Sequence, residues 1–153
     1  GMHRGDMEVA RWLLEAGADV NRVDVDADGL TVLARACEGG HIEVARTLLG
    51  AGANKDLQTH DGYTALMSAC YLENIEVARM LLEAGASKDL QTHDGYTALV
   101  NACRLGHFEV ARMLLEAAAD MNVADQFGDT ALVCAQDRGH LAIVQLLTGS
   151  RCK

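Results

Sequence analysis

The sequence predicts an all-α solenoid: stacked antiparallel helix pairs joined by extended, hairpin-like loops. Three observations carry this. A skeleton returns every 33 residues, with Gly29, Gly62, Gly95 and Gly128 each followed by Thr31, Thr64, Thr97 and Thr130, then Leu33, Leu66, Leu99 and Leu132, then Ala36, Ala69, Ala102 and Ala135. The second half of each unit repeats as well, over His41–Leu49, Asn74–Leu82 and His107–Leu115, with a looser copy over His140–Leu147. Within these halves the apolar residues recur three and four apart, which is one face of a helix.

The elements of one unit follow in order. Thr64 and its equivalents precede an apolar stretch and are placed to cap a first helix by accepting a backbone N–H bond. Leu66 and Ala69 share a face of that helix, and the small alanine lets the next helix approach closely. Gly106 or Gly139 ends such a helix in a left-handed conformation. A second helix follows, with Val77, Ala78, Leu81 and Leu82 as its apolar stripe and Glu76 and Arg79 spaced to pair on the solvent side. Gly85 stops it, and Ser87–Asp94 turns back as an extended loop.

One helix pair cannot bury its own stripe, but stacked neighbours bury it continuously. A fifth copy of the second half, Asp6–Leu14, opens the chain, and the step from it to the next copy is two residues longer because of Arg22–Asp28. The predicted organisation is a single domain over 2–153, with a half repeat at 3–21 and repeats at about 26–55, 59–88, 92–121 and 125–148. Lys55–Leu66 recurs letter for letter as Lys88–Leu99.

The motif Asp-Gly-x-Thr-Ala-Leu-x-x-Ala-Cys, followed by Gly-His-x-Glu-Val-Ala-Arg-x-Leu-Leu-Glu-Ala-Gly-Ala, closely resembles the ankyrin repeat and covers essentially residues 5–148. There are departures. The family's Thr-Pro-Leu-His reads Thr31-Val-Leu-Ala, Thr64-Ala-Leu-Met, Thr97-Ala-Leu-Val and Thr130-Ala-Leu-Val, so the histidine contacts that this motif makes between repeats are expected to be missing. Glu73 and Ala118 stand where sister repeats have glycine, at a cost of roughly 1 kcal/mol if a positive φ is required there.

The resemblance implies a non-enzymatic protein–protein interaction module, an adaptor or scaffold that meets a protein partner through loop tips and the concave face of the first helices. Carried onto this sequence, the tip candidates are Gln58, His60, Asp61, Tyr63, Gln91, His93, Asp94, Tyr96, Phe127 and Asp129; the helix-face candidates are Tyr71, Leu72, Arg104 and Leu105. Tyr63, Tyr71, Tyr96 and Phe127 are the anchors expected to supply contact energy, against the plainer reading that the tyrosines pad the base of their loops. The unequal set Tyr71, Arg104 and Asp137 is the expected source of specificity. The alternative is a structural segment of a longer array, or a self-associating scaffold with no ligand of its own.

Composition narrows the rest. A formal net charge of −9 without a Lys/Arg cluster argues against nucleic acid, and 4% aromatic content against a large aromatic pocket. No apolar run is long enough to span a membrane and no leader is visible, which predicts a cytoplasmic or nuclear setting. The five cysteines, Cys37, Cys70, Cys103, Cys134 and Cys152, lack the C-x-x-C spacing of metal or redox sites. Successive repeats place them roughly 8–10 Å apart, beyond the about 7 Å that a disulfide allows. They read as buried thiols in a reducing compartment, with Cys152 the one expected to oxidise.

No catalytic, metal or cofactor site is predicted. His60-Asp61 and His93-Asp94 are adjacent pairs that lack the nucleophile of a triad, and no metalloprotease or phosphate-loop motif occurs. Asp24, Asp26 and Asp28 lack the terminal glutamate of a calcium loop. At the start of the chain, residues 1–5 cannot supply a first helix for the stripe of Val9, Ala10, Leu13 and Leu14, beside which lies Trp12. Such an uncovered stripe predicts a homodimer through the N-terminal half repeat, or a preceding helix in a longer array.

Overall fold

The four threonines of the skeleton each start a helix in the computed structural model, which describes residues 23–24 and 29–151, with side chains from 29 to 149. The half repeat 3–21, Trp12, Asp26, Asp28 and Cys152 lie outside the described residues, and so does the expected N-terminal dimer contact. Thr31, Thr64, Thr97 and Thr130 hold extended backbone, and each Oγ1 accepts the N–H three residues on, at 3.1, 3.2, 3.1 and 3.5 Å. The helices they open are α1 (Val32–Glu38), α3 (Ala65–Tyr71), α5 (Ala98–Leu105) and α7 (Ala131–Asp137). Each is followed by a second helix: α2 (Ile42–Gly50), α4 (Ile75–Glu83), α6 (Phe108–Glu116) and α8 (Leu141–Arg151). Ahead of α1, two short strands, β1 (Val23–Asp24) and β2 (Leu30–Thr31), pair antiparallel with Val23 opposite Thr31.

First helices end through a backbone bond that spans the turn, from His41, Asn74, His107 and His140 N–H to the carbonyls of Ala36, Ala69, Ala102 and Ala135. This closure requires a left-handed residue between the helix and the donor. Gly106 supplies it at φ 81°, and Glu73, which has a Cβ, is held there at φ 58°. Ala118 occupies the same conformation after α6, at φ 66°. The two glycine substitutions seen in the sequence therefore do sit at strained positions.

Contacts divide the chain into two units, Gly1–Ala86 and Ser87–Lys153. In the first, α1 lies beside α3 and α2 beside α4, and each helix packs on its own pair partner. Its core is Leu33, Ala36, Cys37, Val44, Ala45, Leu48, Leu66, Ala69, Cys70, Val77, Ala78 and Leu81, all buried. In the second, α5 lies beside α7 and α6 beside α8, over Leu99, Ala102, Cys103, Val110, Ala111, Leu114, Ala135, Ile143 and Leu147. The period-33 alanines and Leu33, Leu66 and Leu99 are thus core positions, while Leu132 is half-buried, and cutting one of the three buried leucines to alanine costs about 2–5 kcal/mol.

Solvent-side pairing occurs in α6, where Arg112 Nη2 donates to Glu109 Oε2 at 2.8 Å. Both are well exposed, so the pair contributes little. Neighbouring repeats interlock through histidines outside the Thr-x-Leu-x motif. His140 Nε2 lies 3.2 Å from the Arg104 carbonyl oxygen, and the His60 ring covers Gly29 so closely that a Cβ there would sit 2.9 Å from His60 Cδ2.

Candidate functional site

Loop tips are built by a short local code. Thr59 N–H donates to the Tyr63 carbonyl at 2.8 Å and Gly62 N–H to the Thr59 carbonyl at 2.9 Å; Thr92 with Tyr96, and Asp125 with Asp129, repeat the pattern. The result is a three-residue hairpin whose left-handed residue is glycine. The side chain at the first position locks it. Thr59 and Thr92 Oγ1 accept the Tyr63 and Tyr96 N–H, both at 3.1 Å, while Asp125 Oδ1 accepts from Phe127 and Asp129 N–H, both at 2.9 Å. These three residues are absent from the sequence-derived candidates, although their column, immediately after Gln58, Gln91 and Ala124, could have been found from the small polar side chains preceding each tip.

In the first unit, His60 and Asp61 are exposed and Tyr63 is half-buried at the base of its loop. Gln58 is exposed but its Nε2 donates to the Gly62 carbonyl at 2.9 Å, which ties it to the loop. At the end of α3, Tyr71 is 47% and Leu72 53% exposed. These two neighbours give the first unit an apolar point next to a polar tip. A shallow groove of about 480 Å³ runs elsewhere, between α2 and α4, lined by Ile42, Glu43, Arg46, Glu76, Arg79, Met80 and Glu83, and contains none of the candidates.

In the second unit, His93 and Asp94 are exposed. The Asp94 carbonyl accepts from Gln126 N–H at 3.1 Å, and Gln91 Nε2 donates to the carbonyls of Gly95 and Ala124 at 2.9 and 3.1 Å. Gln91 therefore stitches two successive loops together. Phe127 stands at its tip 72% exposed, while Asp129 is half-buried. Leu105 is half-buried. Arg104 is brought to Tyr96, with its guanidinium carbon 4.8 Å from the ring centroid, and its Nη2 donates to Asn101 Oδ1 at 2.9 Å. Asn101, 1% exposed, is not among the candidates. Its signal is a departure at a repeat position otherwise held by Arg35, Ser68 and Cys134.

Burial pushes Cys37, Cys70 and Cys103 up to about 12, and raises Cys134 as well, with Asp125 and Asp129 adding to that shift. All four are free. Such thiols are poor nucleophiles because the reactive form is the thiolate. Among the described residues, no three of His, Cys, Asp and Glu converge to hold a metal ion, and no helix is long and apolar enough to cross a membrane.

A family model for ankyrin repeats (3 copies) matches residues 2–92 and again 84–153. The chain belongs to the ankyrin-repeat family. No curated protein matches it. Ankyrin repeats are generally non-catalytic protein–protein interaction modules, and the helix pairs described above are the all-α architecture of this family. In this ankyrin chain the helix-capping threonine of each repeat is retained, and the residue after it is valine or alanine where the family's motif has proline.

Proposed function

We propose that this chain binds a protein partner through loop tips and first-helix ends, using Tyr71 and Leu72 with His60, Asp61 and Tyr63 in the first unit, and Phe127 with His93, Asp94, Tyr96, Arg104, Leu105 and Asp129 in the second. The observation that carries this reading is where large apolar side chains remain open to solvent. Tyr71, Leu72 and Phe127 are exposed at loop tips and first-helix ends; Val32 and Leu141 are the other large apolar side chains that stand open among the described residues. Exposed aromatic groups on a folded scaffold are the usual energetic centres of an interface. Gln58 and Gln91 take a lesser part, because their amides already serve the loops.

The Gln91 stitching favours a second reading, a structural segment of a longer array. There the identical tips 55–66 and 88–99 serve repeat stacking alone. Affinity capture from source cells, using the native chain and a folded variant carrying Tyr71→Ala, Leu72→Ala and Phe127→Ala, separates the two. A protein held by the native bait and lost from the variant supports the adaptor reading. Identical sets on both baits, with circular dichroism unchanged, move the structural reading ahead.

A further inference from the structure

The duplicated loop is the same in both copies, but what stands above it is not. Eight residues beyond Tyr63 the chain has Tyr71; eight beyond Tyr96 it has Arg104. A cation is drawn to the negative face of an aromatic ring, and the Arg104 guanidinium lies over Tyr96 at 4.8 Å. Asn101, one turn earlier on α5, accepts from Nη2 at 2.9 Å. Ring and amide together fix the plane of the guanidinium. The Arg104 carbonyl is in turn met by His140 Nε2 at 3.2 Å, which anchors the backbone that carries it.

We propose that Arg104, positioned by Tyr96 and Asn101, is a receptor site for a carboxylate of the protein partner. The inference rests on the binding reading above and names the chemistry that the second unit recognises. Arginine has donors and no acceptor, and the one carbonyl oxygen of the Asn101 side chain is already used by Arg104. Among the described residues no carboxylate lies within ion-pair distance of Arg104. Asn101 Nδ2 and Arg104 Nε are enclosed donors without an acceptor. The cluster is therefore rich in donors and short of acceptors; Arg104 is half-buried with its Nε and the Asn101 Nδ2 enclosed, which leaves the Nη end of the guanidinium as the side a carboxylate would meet.

A fixed planar fork matches the two oxygens of a carboxylate, where a lysine would present only a point charge. A phosphate brings nearly two negative charges to a protein of net −9, a carboxylate only one, so the carboxylate is the less repelled anion. The source is either an acidic side chain or the terminal carboxyl group of a polypeptide, which share this chemistry.

The test is a titration of the intact chain, at matched ionic strength, followed by nuclear magnetic resonance of the Arg104 Nε–H and Asn101 Nδ2 signals. N-acetylglutamate α-amide presents a side-chain carboxylate and N-acetylalanine a terminal one, with N-acetylglutamine amide as neutral control and inorganic phosphate as the competing anion. Saturable shifts with a carboxylate and none with the neutral amide are expected, the tighter of the two acids naming the source. Arg104→Gln abolishes the response in a protein whose other signals are unchanged. Arg104→Lys, and Asn101→Ser with the charge intact, weaken it by roughly tenfold. Signals that do not move, that move equally for the neutral amide, that respond more tightly to phosphate, or whose neighbours respond unchanged in Arg104→Gln overturn the inference. Its failure is distinct from failure of the binding reading. A partner lost from the Tyr71/Leu72/Phe127 variant but held by Arg104→Gln leaves the module standing without this site.

Discussion

His140 Nε2 sits 3.2 Å from the carbonyl oxygen of Arg104, and its ring covers Gly106, where a Cβ would approach Cε1 to 2.7 Å. One side chain thus satisfies an open helix-end carbonyl of the preceding repeat and fills the space that glycine leaves. In the first unit Asn74 takes the corresponding place over Gly40, its Nδ2 2.9 Å from a Cβ built there. An amide thus fills the same space as the imidazole, while its own Oδ1 accepts the Val77 N–H at 3.4 Å. His140→Ala is expected to lower stability by about 1–2 kcal/mol, the hydrogen bond plus lost packing. His140→Asn retains most of it. Urea midpoints at constant slope measure both; equal losses for the two variants would show that the bond contributes nothing.

Ala118 holds φ 66° at the end of α6, in a position where Gly52 and Gly85 stand after α2 and α4. Ala118→Gly relieves the Cβ strain and is expected to raise stability by about 0.5–1 kcal/mol, even after the added freedom of the unfolded chain. The reverse change, Gly85→Ala at φ 87°, meets only Lys55 Cε at 3.7 Å, so its loss isolates backbone strain from crowding. Thermal unfolding of the two variants should move in opposite directions.

Much of the fold was legible because the physics is repetitive. Threonine at the cap, leucine and alanine on one face, and glycine at the turn recur at one period, and each local choice agrees with the stack. The candidate site was legible only in part. Phe127 and Tyr71 could be picked out as aromatic residues on tips and helix ends, and they are exposed. That Gln58 and Gln91 are drawn into loop bonds depends on backbone carbonyls brought near by folding, which no side-chain pattern records. Asn101 escapes a sequence reading for a related reason. Its place beneath Arg104 follows from one helical turn, but its burial depends on what surrounds α5.

Asp125 orders a tip that Phe127 merely occupies. Its Oδ1 accepts two backbone N–H groups, so Asp125→Ala leaves both without that acceptor and is expected to cost about 1–3 kcal/mol. Phe127→Ala, at a 72% exposed position, should change stability by less than about 0.5 kcal/mol. Hydrogen exchange gives the local readout: the Phe127 and Asp129 amides speed up in the aspartate variant and stay protected in the phenylalanine variant. Loss of stability on Phe127→Ala would mean that the ring packs within the fold, and would weaken its place at an interface.

Cys37, Cys70 and Cys103 link stability to alkaline pH. Burial pushes each folded thiol up to about 12 from an ordinary value of 9.0, so the folded state keeps its protons where the unfolded chain releases them. A raised folded pKa gives stability that is complete below about pH 9 and declines as pH rises towards about 12. Each thiol contributes a slope approaching about 1.4 kcal/mol per pH unit inside that window. Urea midpoints between pH 8 and pH 10.5 should therefore fall, and fall less steeply once Cys37, Cys70 and Cys103 are changed together to alanine, a residue small enough for each site. The triple variant starts from lower stability at pH 8, so the slope and not the starting value decides. Dithionitrobenzoate at pH 8 supplies the second readout, labelling these three positions only as fast as the protein unfolds. Parallel slopes together with rapid labelling of the native protein would show that these thiols are open to solvent and their units looser than the burial implies.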